Sequence, residues 1–233
     1  HRRASQLRRA HTAAQVPDNP AEVAGLHASS MSGQLEAYFR ALGDIGPRIL
    51  ASDGEGMAIS LDAAIGWAVA AAEAIKRNEA RVYFIGNGGS AGIASHMAID
   101  WLKNGGFAAA AFNDGASLTC LANDLGFENV FAVPLSRHVR PGDLLCAISS
   151  SGKSADIRAA REKGAKVLTM SGFGADNPLR GLGDMNFYVP NSLYGFVEIA
   201  HLMICHAILD LSMGWRTESR DPACAAPLAD AAP

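Results

Sequence analysis

The chain has no long apolar run, no strong excess of charge and no closely spaced cysteine pair. The apolar stretch Ala68–Ile75 is interrupted by Glu73 and soon ends in charged residues, so no membrane span is predicted. A net charge of −3 gives no electrostatic reason to expect nucleic acid as a partner. The Arg-rich start leads into no apolar segment, which argues against a secretory signal. The wide spacing of the cysteines favours reduced thiols and a cytoplasmic location; they are Cys120, Cys146, Cys205 and Cys224.

The composition is that of a globular protein. Hydrophobic residues make up 49% of the 233 residues, enough to form a substantial core. Residues 1–30 and 214–233 are rich in small residues, proline and charge and show no clear period. We therefore expect two disordered segments on either side of one folded domain, residues 31–213. The sequence contains no internal repeat.

The segment Arg81–Asp100 organises the rest of the chain. Val82–Ile85 is a short apolar run typical of a buried strand. The glycines that follow it let the backbone turn sharply and approach a ligand; they are Gly86, Gly88 and Gly89. Ser90 begins a predicted helix, whose free N–H groups and dipole favour an anion. His96 and Asp100, four residues apart, project from one face of that helix. Together these features predict an active site.

Alternating strands and helices follow this segment. Such alternation predicts an α/β fold with a doubly wound parallel sheet, in which helices cover both faces and ligands bind at the carboxyl ends of the strands. Two amphipathic helices, Met31–Ala51 and Ser60–Arg77, come before the sheet and either cover its core or pack between subunits. The predicted strands are Val82–Ile85, Phe107–Phe112, Leu144–Ile148, Lys166–Met170 and Phe187–Val189.

A serine cluster, Ser149–Ser154, lies at a predicted strand-to-helix junction. Its four serines and one glycine can donate side-chain and backbone hydrogen bonds to a phosphate monoester. The alternative role, a helix cap, needs only one serine, so the cluster favours anion binding. The segment is not a P-loop, because the motif GxxxxGK[ST] requires glycine at the position of Ala147.

A loose dinucleotide fingerprint is the competing interpretation of the glycine turn. Gly86, Gly88 and Ala91 match its spacing, and Asp114 follows at about the distance of a ribose-binding acid. A dinucleotide enzyme has no evident use for the serine cluster, whereas a terminal phosphate does. The two motifs together therefore favour a phosphorylated ligand over NAD.

The predicted closing helix, Tyr194–Met213, carries Glu198, His201 and His206. Glu198 and His206 are eight residues apart, two turns with an offset of roughly 80°, so they can flank one site. By spacing alone His201 is an equal candidate, although a lone histidine on an apolar helix is usually a core residue. With the histidine and aspartate of the first helix, the set contains two imidazoles and two carboxylates. Such a set could bind Zn²⁺ or act as a general acid and base.

Four segments of the chain resemble the SIS (sugar isomerase) family in its phosphoheptose isomerase branch. These segments are Ile85–His96, Leu118–Phe131, Arg140–Ser154 and Glu198–His206, and the resemblance extends over about Met31–Leu211. It implies a flavodoxin-like core of five parallel strands and a homotetramer with active sites at the subunit contacts. It also implies an isomerase that converts sedoheptulose 7-phosphate to glycero-manno-heptose 7-phosphate.

The resemblance implies roles for individual residues. Asp100 takes the position of the catalytic base and His206 that of the acid, which favours His206 over His201. One Zn²⁺ per subunit is implied, with the ligands His96, Asp100, Glu198 and His206. The implied phosphate- and sugar-binding positions are Asn87, Gly88, Ser90, Asp114, Ser149, Ser150, Ser151, Ser154 and Glu198.

Four positions depart from the family pattern. Asp100 replaces a glutamate base, Glu198 replaces a glutamine, Asn104 replaces an arginine and Gly195 replaces an aspartate. The shorter base and the additional charge leave two alternatives open: an isomerase of a different sugar phosphate, or a non-catalytic protein that binds sugar phosphates. The two roles expected of Asp100 also compete, because a carboxylate bound to a metal is a weaker base.

Overall fold

The structure is a computed structural model that describes residues 20–152 and 163–216. The chain divides into two units, residues 1–44 and 45–233. The first unit contains helix α1 (Pro20–Gly43), whose apolar side chains Leu35, Tyr38 and Phe39 are exposed. The second unit contains the sheet and the other described helices.

The sheet has seven strands: β1 (Leu50–Asp53), β2 (Ala58–Ile59), β3 (Arg81–Gly86), β4 (Ala108–Ala111), β5 (Leu144–Ser149), β6 (Lys166–Gly172) and β7 (Met185–Val189). Their order across the sheet is β2-β1-β7-β6-β5-β3-β4. The strands from β3 to β7 pair in parallel, whereas β1 is antiparallel to both β2 and β7. The inner strands are apolar on both faces, as expected for parallel strands covered by helices.

The described helices of this unit are α2 (Leu61–Arg77), α3 (Gly89–Lys103), α4 (Gly115–Leu125), α5 (Ala132–His138) and α6 (Tyr194–Ser212). Helices α2 and α3 both contact α6. Leu135 of α5 lies in a core cluster with Tyr83, Leu145 and Val167 of the sheet. Ser60 caps α2, because its hydroxyl accepts a hydrogen bond from Ala63 N at 3.1 Å.

The five predicted strands are present as β3 to β7, but the sheet has seven strands and not five, because residues 45–60 add a hairpin. The predicted helix Met31–Ala51 ends at Gly43, and a short 3₁₀ turn, Gly46–Arg48, leads into β1. Glycine and proline interrupt helical hydrogen bonding here, so the residues beyond them are free to pair with a strand. The antiparallel pairing of β1 with β7 joins residues far apart in sequence, which local patterns do not reveal.

The ends of the chain are only partly described. Helix α1 begins at Pro20 and therefore includes the last part of the segment 1–30 that was expected to be disordered. Residues 1–19 and 217–233 lie outside the described residues, as does the helix predicted to follow Ser154.

Helix α6 is the one described helix that is long and apolar enough to cross a membrane. Its inward side is buried through Val197, Ala200, Ile204 and Ile208. It contacts α2, α3 and β6 within the unit. Core helices of soluble proteins commonly meet the same test of length and composition.

Candidate active site

The first turn of α6 lies across the carboxyl ends of the central strands. A methyl group placed on Gly172, at the end of β6, would lie 2.5 Å from Val197 Cγ1. One placed on Gly89, at the start of α3, would overlap the carboxylate of Glu198. Because β5 lies between β6 and β3, the loop that leaves β5 is flanked by these two contacts. The glycine turn, the serine loop and the start of α6 therefore meet at the carboxyl ends of the strands.

Hydrogen bonds to its backbone hold the serine loop after β5 in place. Ser149 Oγ accepts a hydrogen bond from Gly152 N at 3.1 Å. The carbonyl of Ser150 accepts hydrogen bonds from Asn177 Nδ2 at 2.9 Å and Gly172 N at 3.2 Å. The Ser150 side chain is buried, and its hydroxyl has no partner among the described residues. A buried hydroxyl on a rigid loop is suited to donate to an anion, because leaving it unpaired costs free energy.

The glycine turn leads into α3 without a side-chain cap. Gly88 is the N-cap of α3, has a φ of 59° and supplies no side-chain cap. Ser90 is buried beneath the turn, and its N–H bonds to Asn87 O at 3.1 Å. A helix N-terminus without a side-chain cap favours a negatively charged ligand.

Two histidines and one carboxylate form a second cluster further along α3 and α6. Asp100 Oδ2 lies 3.4 Å from His96 Nε2 and 4.0 Å from His206 Nε2. The two imidazole rings are 5.5 Å apart between centroids. One donor atom from each residue lies within 4.8 Å of the others, the spacing of a metal site. The side chains remain accessible, with exposed fractions of 51% for His96, 21% for Asp100 and 36% for His206.

His201 belongs to the core. Its side chain is 0% exposed, and Nε2–H donates to the carbonyl of Ser171 at 3.0 Å. Burial lowers the pKa of His201 from 6.5 to about 4, although the hydrogen bond to Ser171 acts in the opposite direction. The imidazole is therefore neutral at pH 7, and only His206 of this helix joins Asp100.

Asp114 caps helix α4. Its Oδ1 accepts hydrogen bonds from Ser117 N at 2.9 Å and Ser117 Oγ at 3.1 Å, and these bonds lower the pKa of Asp114. The preceding Asn113 donates to Ala91 O at 2.9 Å and to Ser95 Oγ at 3.0 Å, which ties the end of β4 to α3. The carboxylate stays exposed at the carboxyl edge of the sheet.

Residues 55–172 match a family model described as SIS domain. The chain belongs to the SIS domain family. A phosphoheptose isomerase from Chlorobium phaeovibrioides is 37% identical over 156 residues, which cover 60% of this chain and 73% of that protein. Another from Rhodospirillum rubrum is 35% identical, with coverages of 64% and 84%.

Solved structures give the same relationship. The phosphoheptose isomerase of Neisseria gonorrhoeae superimposes with a TM-score of 0.68 and 25% identity, covering 79% of this chain and 100% of that one. The Vibrio vulnificus NanR protein, complexed with ManNAc-6P, has a TM-score of 0.55 and 17% identity, which shows a shared fold. This chain therefore shares its fold with both of these proteins.

The structure brings three of the four expected metal ligands together. Glu198 is not a member of this group, because its carboxylate lies against Gly89 near the serine loop. Its role as a metal ligand stays a prediction. The expected phosphate residues of the glycine turn and the serine loop lie at one edge of the SIS sheet, except that Ser154 is outside the described residues.

Asn177 was missed by the sequence analysis. Its side chain donates to the carbonyls of Ser150 and Gly172, both at 2.9 Å, and accepts from Leu179 N at 3.0 Å. It thereby holds the serine loop against the end of β6. The only sequence signal was an asparagine followed by proline in a turn-rich segment, and this does not reveal a contact with a loop 27 residues away.

Proposed function

We propose that the chain is an aldose–ketose isomerase that converts sedoheptulose 7-phosphate to glycero-manno-heptose 7-phosphate. The observation that carries the proposal is the position of Asp100 between the imidazoles of His96 and His206. The helices of these residues, α3 and α6, begin at the end of the sheet where the serine loop is suited to bind phosphate. The relatives named phosphoheptose isomerase support this reaction. We also propose a cytoplasmic location, because the widely spaced cysteines favour reduced thiols.

The proposed reaction moves one proton between C1 and C2 of the open-chain sugar. Asp100 accepts the proton from C1 of the ketose, and an enediolate forms. His206 moves a proton between the two oxygens, and Asp100 returns its proton to C2 to give the aldose. The serine loop and Ser90 hold the phosphate, so binding at a remote group orients the reacting carbons.

The cluster also fits a divalent metal. Two imidazoles and one carboxylate are a donor set that Zn²⁺ accepts, and three protein ligands leave a coordination position open. We assign His96, Asp100 and His206 as its ligands. When bound, Zn²⁺ would stabilise negative charge on the substrate oxygens. Asp100 then has the weaker basicity of a coordinated carboxylate, so its two proposed roles compete.

We propose a homotetramer in which neighbouring subunits complete each other's sites. Ten residues separate Ser90 from Asp100 along α3, about 15 Å at 1.5 Å per residue. A seven-carbon sugar phosphate is shorter than this distance, which favours a phosphate site and a reactive cluster from different copies. Apolar side chains beside the cluster are exposed and suited to subunit contacts: Ile99, Leu102, Ile199 and Met203.

The test is an isomerase assay on a panel of ketose phosphates, with metal analysis and light scattering on the same samples. Turnover of sedoheptulose 7-phosphate by the wild type, its loss in Asp100→Asn and its retention in the surface control Asp62→Asn would support the proposal. Binding of the sugar phosphate with no turnover, with or without Zn²⁺, would instead indicate a non-catalytic binding protein. A fully active monomer would contradict the shared sites.

A further inference from the structure

The carboxylate of Glu198 occupies the space beside Gly89. A methyl group at Gly89 would overlap Oε1 of Glu198 and lie 2.5 Å from its Cδ. Gly89 is the first residue of α3, so the carboxylate faces the beginning of that helix. Val197, the residue before Glu198, is held by its contact with Gly172. The position of Glu198 is therefore set by packing on the sheet edge.

This position borders the proposed sugar-phosphate site. The loop Ser149–Gly152 leaves β5, which lies between β6 and β3. The start of α6 contacts the ends of both neighbouring strands, through Gly172 on one side and Gly89 on the other. A ligand whose phosphate is held by this loop would therefore lie beside the half-buried carboxylate of Glu198.

An ionised carboxylate differs from the glutamine of the family pattern in what it can pair with. Glutamine both donates and accepts hydrogen bonds, whereas an ionised carboxylate only accepts them. A buried donor that faces another donor, or an acceptor that faces another acceptor, stays unpaired. Like charges also repel strongly in a partly desolvated site.

We propose that Glu198 determines ligand specificity, because the carboxylate that it presents to the sugar is negatively charged and can only accept hydrogen bonds. The ligand class is a sugar phosphate that offers hydroxyl or ammonium donors there, and ligands with a second anionic group are excluded. This inference rests on the proposed function, because it assumes that the serine loop binds the phosphate.

The experiment compares two unreactive ligands by calorimetry on the 233-residue chain. Heptitol 7-phosphate offers only hydroxyls, whereas heptonate 7-phosphate carries a second carboxylate. Both are measured on chelator-treated protein, so that no metal ion can attract the heptonate. We expect the wild type to prefer heptitol 7-phosphate by about tenfold or more, and Glu198→Gln to lose most of that preference.

Two glycine variants of α3 provide matched controls. Gly89→Ala displaces the carboxylate of Glu198 without removing its charge, and we expect it to reduce the preference in part. Gly92→Ala adds the same methyl group one turn away, where nothing lies within 4 Å, and should keep the wild-type preference.

The outcomes separate this inference from the proposed function. Binding of both ligands with the same preference in the wild type and in Glu198→Gln would overturn the role of Glu198 and leave the isomerase proposal standing. A failure of the wild type to bind either 7-phosphate would overturn the proposed function, and this inference with it.

Discussion

The two histidines of α6 show how five residues along one helix separate two kinds of site. His201 is enclosed by the fold and pairs with the carbonyl of Ser171. His206 faces outward and lies 4.0 Å from the Asp100 carboxylate. The inward side of the helix has one rigid partner for its imidazole, whereas the outward side has a titratable partner and room for a ligand. Burial, not residue type, therefore decides which histidine is available for chemistry.

Replacing His206 should have the largest effect on this contrast. Because His206→Asn removes the proposed acid and a metal ligand from a half-exposed position, we expect turnover to fall by about 10²–10⁴-fold with little change in stability. Initial rates with Zn²⁺ supplied and thermal unfolding measure the two effects. Turnover within threefold of the wild type would show that His206 is not the acid.

Replacing His201 should have the opposite effects, a loss of stability with turnover retained. His201→Ala leaves a cavity and an unpaired Ser171 carbonyl, so the free energy of unfolding should fall by about 3–5 kcal/mol. Turnover per folded molecule should be retained. Urea denaturation gives the stability, and the control Asp210→Ala, at an exposed position of the same helix, should cost much less. Equal losses for the two variants would remove the contrast.

The lowered pKa of His201 makes the same contrast depend on pH. Above pH 6.5 the imidazole is neutral in both the folded and unfolded chains, so it adds no pH dependence. Between pH 6.5 and about 4, only the unfolded chain binds the proton. The free energy of unfolding therefore decreases by roughly 3 kcal/mol in total as the pH is lowered through this range. His201→Gln should lack this part of the decline. Parallel stability curves for the wild type and the variant would contradict the assignment.

The smallest effect concerns two glycines, one on the exposed side of α3 and one at the end of β6. Gly92 lies within α3 with open space around it, so Gly92→Ala should stabilise the fold by about 0.5–1 kcal/mol. Gly172→Ala should destabilise it, since the methyl group would meet Val197. Thermal unfolding of both variants tests the pair, and stabilisation by Gly172→Ala would contradict the packing described here.

The parts of the fold predictable from sequence are those in which neighbours along the chain act together. The strand, glycine turn and helix that begin at Arg81 were predicted because apolar run, glycines and helix start are consecutive. The hairpin of β1 and β2 was not, because its pairing with β7 joins Ser52 to Asn186. Sequence patterns indicate local geometry, but they do not show which distant strand will be the partner.

The candidate site divides in the same way. His96 and Asp100 were paired correctly, because a spacing of four residues on a helix fixes their proximity. The choice of His206 over His201 needed the family resemblance, since spacing allowed both. The position of Glu198 beside Gly89 could not be predicted, because it depends on how α6 crosses the ends of the strands.

The hairpin that was not predicted covers one of the two borders of the sheet. Without it, the five buried residues of β7 would form an open, apolar edge onto which another chain could add a strand. The hairpin pairs with β7 and leaves β2, only two residues long, as the new border, too short to serve as a template. Its residues also precede β7 in the chain, so during synthesis they are available to pair with β7 as soon as that strand emerges from the ribosome.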